Sequence, residues 1–136
     1  MNVSHGPRSV KTLALLFCGL SPLASQAPSR QALVLGVECP GKDCELLKGS
    51  PQTAGMRSGF VRLKPGESVG WHSTAQNEES LIILHGGGDA LIEGQAGRSF
   101  AAPQLVYIPP ATRHNVENTG RDVLEYIYVV APAAAK

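Results

Sequence analysis

The sequence predicts an all-β protein, an antiparallel sandwich or barrel, and three observations carry that expectation. Apolar segments beyond residue 31 are short, Gly and Pro punctuate them throughout, and no window sustains a helical apolar period for three turns. Many short strands at close spacing in about 110 residues form the pattern of a closed or two-layered β architecture. The full length of 136 residues fits one domain better than two.

The predicted strands follow in order. Ala32 to Val37 is an aliphatic run, and Glu45 to Lys48 lies beyond the Cys39-Pro40-Gly41-Lys42-Asp43-Cys44 segment. Gly59 to Lys64 stops at Pro65-Gly66, a pair suited to reversing the chain. Ser68 to Thr74 alternates, placing Gly70, His72 and Thr74 on one face and Val69, Trp71 and Ser73 on the other. Ser80 to Leu84 contains the run Leu81-Ile82-Ile83-Leu84 and leads to Gly86-Gly87-Gly88-Asp89, which reads as a hairpin turn. Ala90 to Glu93 and Arg98 to Ala101 flank Gly94-Gln95-Ala96-Gly97. Leu105 to Ile108 stops at Pro109-Pro110, His114 to Asn118 stops at Thr119-Gly120, and Val123 to Ala131 is the last. Trp71 and Tyr107 are expected between the sheets; Tyr126 and Tyr128 share a face of the last strand and are expected to reach a pocket.

Charge narrows the partners. Twelve Lys+Arg against eleven Asp+Glu give a formal net charge of +1, and the charged fraction of 17% is low. An average soluble chain has about 25% charged residues, so a charge-driven disordered tail is excluded. No basic excess marks a nucleic-acid or anionic-lipid surface, which leaves small molecules or proteins as partners.

The first segment is of a different kind. Arg8 and Lys11 precede the apolar run Leu13 to Leu20, and Pro22-Leu23-Ala24-Ser25-Gln26-Ala27 supplies small residues beyond it. This basic, apolar and small-residue order is that of a secretory signal peptide, expected over residues 1–27, with residues 28–136 forming the single domain. A membrane span needs about 20 apolar residues, and Gly19 and Pro22 interrupt this run. Removing the leader takes away Arg8, Lys11 and Cys18, leaving ten basic against eleven acidic residues and two cysteines, Cys39 and Cys44. In a periplasmic or secreted protein that pair around a Pro-Gly turn reads as a structural disulfide. A metal or redox pair is disfavoured, because the spacer is four residues and no second Cys or His pair accompanies it.

The chemistry-bearing residues are few. His5 belongs to the leader, His72 lies on a predicted strand, Glu78 and Glu79 precede the Leu81 to Leu84 run, and His114 opens a later strand. Two imidazoles and a carboxylate form a donor set for Zn, Mn, Fe, Ni or Cu, with positions left open for water or substrate. Spacing alone leaves an alternative open, since strand histidines are commonly hydrogen-bonded or exposed and paired glutamates commonly belong to solvated turns. His85 abuts the triple glycine and is expected at the surface or rim. Arg113, beside His114, is either an anion clamp at the pocket mouth or simply exposed.

The ordered pattern Gly66-x5-His72-x-Thr74-x4-Glu79-x6-Gly86 resembles the first motif of the cupin superfamily, which has His at the place of Thr74. Downstream, Pro109-x-Ala111-x2-His114-x3-Asn118 resembles the second motif, with Ala111 in the place of a glycine and Pro103 where that motif has its leading glycine. Only Glu79 is separated from a following glycine, Gly86, by the six intervening residues the motif requires, so the pattern selects it over Glu78. The resemblance implies a double-stranded β-helix, or jelly-roll, barrel in which His72, Glu79 and His114 point inward and coordinate a divalent transition metal. Thr74 departs from the usual four-ligand set. The departure implies either three protein ligands with an extra water, weaker affinity, or a metal-free pocket; Gln76 is a further candidate to fill the gap.

The resemblance implies a small-molecule ligand and two functional readings: a metal-dependent enzyme of dioxygenase or isomerase type, or a non-catalytic binding module. No Ser/His/Asp order and no Cys beside a His points to covalent catalysis. No membrane association is expected once the leader is removed. A second copy of the chain is a candidate partner through an edge at Ala32 to Val37, unless that strand closes its own sheet.

Overall fold

The computed structural model describes residues 30–134. The predicted leader lies outside the described residues. Eight strands form: β1 (Asp43–Lys48), β2 (Arg57–Leu63), β3 (Asn77–His85), β4 (Gly87–Ile92), β5 (Arg98–Ala101), β6 (Gln104–Ile108), β7 (His114–Glu117) and β8 (Leu124–Pro132). They pair antiparallel in a five-stranded sheet, order β1-β2-β8-β3-β6, and a three-stranded sheet, order β5-β4-β7. This all-β arrangement is a jelly-roll barrel, as the resemblance implies. Among the described residues no helix is long and apolar enough to cross a membrane.

Alternation decides what faces the interior. On β3, Glu79, Leu81 and Ile83 are buried, whereas Ile82 between them and Leu84 after them are exposed. Leu63 from β2, Leu124 and Tyr126 from β8, and Ile108 from β6 join Leu81 and Ile83; Ala90, Phe100 and Val116 meet them from the smaller sheet. Each large aliphatic or aromatic side chain so buried contributes about 1.5–3 kcal/mol of transfer free energy.

Four expectations are corrected. Ala32 to Val37 forms no strand; it is irregular and exposed, with Val34 fully solvated. Strand propensity is realised only against a neighbouring strand, and β1 pairs with β2 alone. Ser68 to Thr74 is likewise not a continuous strand. Gly70 takes a positive φ of 88°, which breaks the extended run and leaves isolated bridges Ser68↔Glu117 and His72↔His114 on either side. The triple glycine is only partly a turn: Gly86 turns, while Gly87 and Gly88 begin β4. A Cβ on Gly88 would collide with the Glu117 carbonyl, so β4 can approach β7 there only with glycine. Trp71 and Tyr107, expected between the sheets, are 45% and 54% exposed. Tyr107 instead donates a hydrogen bond to Glu78 at 3.1 Å on the outer face.

Cys39 and Cys44 form the expected disulfide, with Cα atoms 5.8 Å apart. The ring it closes is fixed to β2, because Arg62 donates from Nη1 to the Cys39 carbonyl at 3.1 Å and stacks 5.2 Å from the centre of the Phe60 ring. A disulfide is the chemistry of an oxidising compartment.

Candidate metal centre

The three residues selected by pattern come from three separate pieces of chain, and backbone hydrogen bonds bring them together. His72 lies in the β2–β3 connection and His114 begins β7. Each donates its backbone N–H to the other's carbonyl at 2.9 Å. Residues opposed in this way project to one face, so the rings meet with centroids 4.3 Å apart. Glu79, third residue of β3, is opposed to Ile108 on β6 and Val130 on β8 and points inward. His114 is 0% and Glu79 5% exposed, while His72 opens to solvent. The group therefore has one accessible side.

Backbone carbonyls orient both imidazoles. His72 Nδ1 is 2.9 Å from the Gly70 carbonyl and His114 Nδ1 is 3.1 Å from that of Thr112. A carbonyl oxygen only accepts, so each Nδ1 carries the proton and donates, leaving the Nε2 lone pair of a neutral ring for another partner. The Gly70 end is held in turn: its N–H donates to Asn115 Oδ1 at 2.8 Å. His114 Nε2 then lies 3.1 Å from Glu79 Oε2, yet both atoms are buried and neither makes a hydrogen bond. Two acceptors facing each other without a donor require a cation between them, either a proton or a metal ion.

The metal alternative fits the geometry. One ligand atom from each of His72, Glu79 and His114 lies within 4.8 Å of the others. Ligand atoms at about 2.0–2.2 Å from a shared ion stand roughly 3–4 Å apart. These residues could hold a divalent metal, and the nitrogen and oxygen donors do not by themselves select which.

Without an ion, the proton alternative applies. Burial lowers the His114 pKa, but the Glu79 carboxylate and the Thr112 carbonyl together outweigh it, and the net direction is upward. A histidine whose folded pKa is raised stabilises the fold fully below the unfolded value of about 6.5, and the contribution is lost as pH rises through the folded value. Chelator-treated protein is therefore expected to lose melting temperature between pH 6 and pH 9 relative to a His114→Gln variant. Parallel pH profiles for the two would count against the buried pair.

Thr74, at the place of the missing fourth ligand, is buried and donates from Oγ1 to the Asn77 carbonyl at 2.9 Å. It lines the same cavity as His72 and Glu79. Its hydroxyl is committed to the start of β3, which explains how the chain carries a non-ligand there without an unpaired polar group. Gln76 is exposed and is not among the cavity residues. Thr74→His is expected to tighten zinc binding about tenfold by calorimetric titration, in line with one added ligand; unchanged affinity would mean that position 74 does not reach the ion.

The cavity over this group measures about 480 Å³. Tyr126 and Tyr128 line it, as expected from their shared face on β8. His85 is exposed at the surface and is not among the cavity residues, its Nδ1 2.8 Å from the Val123 carbonyl. Arg113 is no anion clamp: it pairs with Glu93 at 2.7 Å and lies 5.4 Å from the centre of the Trp71 ring. The sequence reading missed Asp43, Glu45 and Arg57, which line the cavity from β1 and β2. The available signal was alternation along Asp43-Cys44-Glu45, which puts both carboxylates on one face.

A family model of the cupin domain matches residues 59–130, a span that holds all three residues of the centre. Among curated proteins, the chain is similar to the polyketide synthase protein CurC of Streptomyces cyaneus, 29% identical over 90 residues, covering 64% of this chain and 58% of that protein. It is similar also to the tetracenomycin polyketide synthase protein TcmJ of Streptomyces glaucescens, 26% identical, covering 64% of this chain and 60% of that protein. The chain thus spans about three-fifths of the length of these relatives. Among solved structures it is similar to a predicted oxalate decarboxylase from Thermotoga maritima, with TM-score 0.61, 27% identity and coverage of 67% of this chain and 79% of that one. A Cupin 2 conserved barrel domain protein from Salinispora arenicola aligns with TM-score 0.58 and 25% identity over 77% of this chain and 89% of that one. With the barrel, the inward His/Glu/His group and a matched span that covers more than half of its residues, the chain belongs to the cupin family.

Proposed function

We propose that the protein is an exported single-barrel cupin that holds a divalent transition metal through His72, Glu79 and His114 and acts on a small organic molecule in the adjoining cavity. The observation that carries this reading is the buried, unbonded opposition of Glu79 Oε2 and His114 Nε2, a charge arrangement that an ion resolves. When bound, the metal supplies Lewis acidity or redox chemistry of dioxygenase or isomerase type. The chain's own residues do the rest. Gly70 and Thr112 carbonyls fix the imidazoles, Val61, Val69, Val116 and Val130 form the aliphatic part of the cavity wall, and exposed His72 marks the open side. The names of the similar proteins, polyketide synthase proteins and a predicted oxalate decarboxylase, support a small organic substrate. Export is supported by the leader pattern and by the Cys39–Cys44 disulfide.

The second reading, a non-catalytic binding module, is favoured by Thr74, whose hydroxyl is not free to complete a four-ligand set. Metal analysis of purified protein, followed by turnover assays with Fe, Mn, Zn, Ni and Cu on keto acids, catechols and hydroxylated polycyclic ketones, separates the two. Stoichiometric metal with turnover supports an enzyme, and metal without turnover supports a binding module. Absence of any metal uptake would overturn both as stated.

A further inference from the structure

The inner face of the larger sheet is ordered by register. Glu45, Gly59, Tyr128 and Leu81 form one cross-strand row, and Asp43, Val61, Tyr126 and Ile83 form the next. Gly59 makes the first row possible: a Cβ there would sit 2.5 Å from both Cε1 and the hydroxyl of Tyr128, so the ring lies flat across β2 only because residue 59 lacks a side chain. Tyr126 is 2% exposed and faces the cavity with Glu79. Among the described residues, neither phenolic hydroxyl hydrogen-bonds to a protein group, in contrast to Tyr107, whose hydroxyl is paired with Glu78. Two hydroxyls on the wall of one cavity without a protein partner are placed to donate to a molecule that enters it.

Charge and size narrow that ligand. In the ion-free protein Asp43, Glu45 and Glu79 face the cavity against Arg57, an arrangement that repels a molecule with two negative charges. Val61, Val69, Val116 and Val130 supply the aliphatic part of the wall, beside His72 and Thr74. At about 480 Å³ the space lies in the range of roughly 300–1,000 Å³ that holds drug-sized organic ligands and exceeds what a small dicarboxylate fills.

We propose that Tyr126 and Tyr128 are the specificity-determining groups of this cavity, donating hydrogen bonds to the oxygens of a neutral, largely apolar, oxygenated ring ligand and not to a small dicarboxylic acid. The proposal deepens the functional reading above and rests on its cavity, but the hydroxyl contacts do not need the metal. Burial, with nearby carboxylates, raises the pKa of both phenols, which keeps them protonated donors through the neutral range.

The test titrates zinc-loaded and chelator-treated protein with 1-hydroxy-2-acetonaphthone, a neutral hydroxyketone, and with malonate, following heat by calorimetry. Chelator-treated wild type is expected to bind the naphthol with one-to-one stoichiometry and malonate at least roughly tenfold more weakly. Tyr126→Phe and Tyr128→Phe, confirmed folded by melting, are each expected to weaken the naphthol roughly fivefold, the loss of one hydrogen bond. A naphthol affinity within twofold of wild type in both variants, or malonate bound by the chelator-treated protein as tightly as the naphthol, overturns the proposal, as does no naphthol binding by wild type. Zinc titrated alone reads the metal site separately: if zinc fails to bind while the naphthol still depends on both hydroxyls, the metal reading fails and this one stands.

Discussion

Replacing His114 by alanine is expected to weaken zinc binding by at least about 100-fold, since even outer-shell partners of a metal ligand are worth 10–100-fold. The imidazole is fully buried, its Nδ1 is held by Thr112, and its Nε2 lone pair has no protein donor. No other His, Cys, Asp or Glu among the described residues completes a three-residue group with His72 and Glu79, so nothing substitutes for it. Glu79→Gln, which preserves shape and removes the charge, should weaken binding to a similar degree. Calorimetric titration with zinc after chelation measures both, and retention of affinity within threefold in either variant would remove the basis for the proposed centre.

The second large effect concerns the fold. Asn118 is 0% exposed, and its side chain makes three hydrogen bonds: Nδ2 donates to the carbonyls of Leu63 at 2.8 Å and Asp122 at 2.9 Å, and Oδ1 accepts from the Gly120 N–H at 2.9 Å. One amide thus ties the end of β2 to the turn between β7 and β8. Asn118→Ala leaves three backbone groups without partners, at about 1 kcal/mol or more for each, for a total of roughly 3 kcal/mol. Urea unfolding should report that loss, with zinc affinity changed far less than by His114→Ala. A loss under about 1 kcal/mol would mean that water replaces the amide.

The contrast between these positions bears on how much the sequence could disclose. Strands β3 and β8 were legible because uninterrupted apolar stretches end at strong turn signals, and Glu79 was distinguishable from Glu78 by its distance from Gly86. The two differ in space as well: Glu79 is inward and buried, whereas Glu78 accepts the Tyr107 hydroxyl outside. Tyr107 and Trp71 were misplaced because alternation defines two faces of a strand without saying which one meets the core. Ala32 to Val37 reads as a strand by composition, yet strand formation depends on a partner that no local signal specifies. Asp43, Glu45 and Arg57 escaped notice for a related reason. Their place at the cavity follows from the pairing of β1 with β2 and of β2 with β8, a non-local fact.

The reciprocal backbone pairing of His72 with His114 has a thermodynamic consequence. The donors of the centre come from the β2–β3 connection, from β3 and from β7, so in the unfolded chain they are dispersed and offer no preformed chelate. An ion that binds only the closed barrel adds its binding free energy to folding, about 4 kcal/mol when free metal exceeds the dissociation constant a thousandfold. Metallation and folding would then be one linked equilibrium, in which an ion held by these three residues stabilises the closed barrel against the open chain.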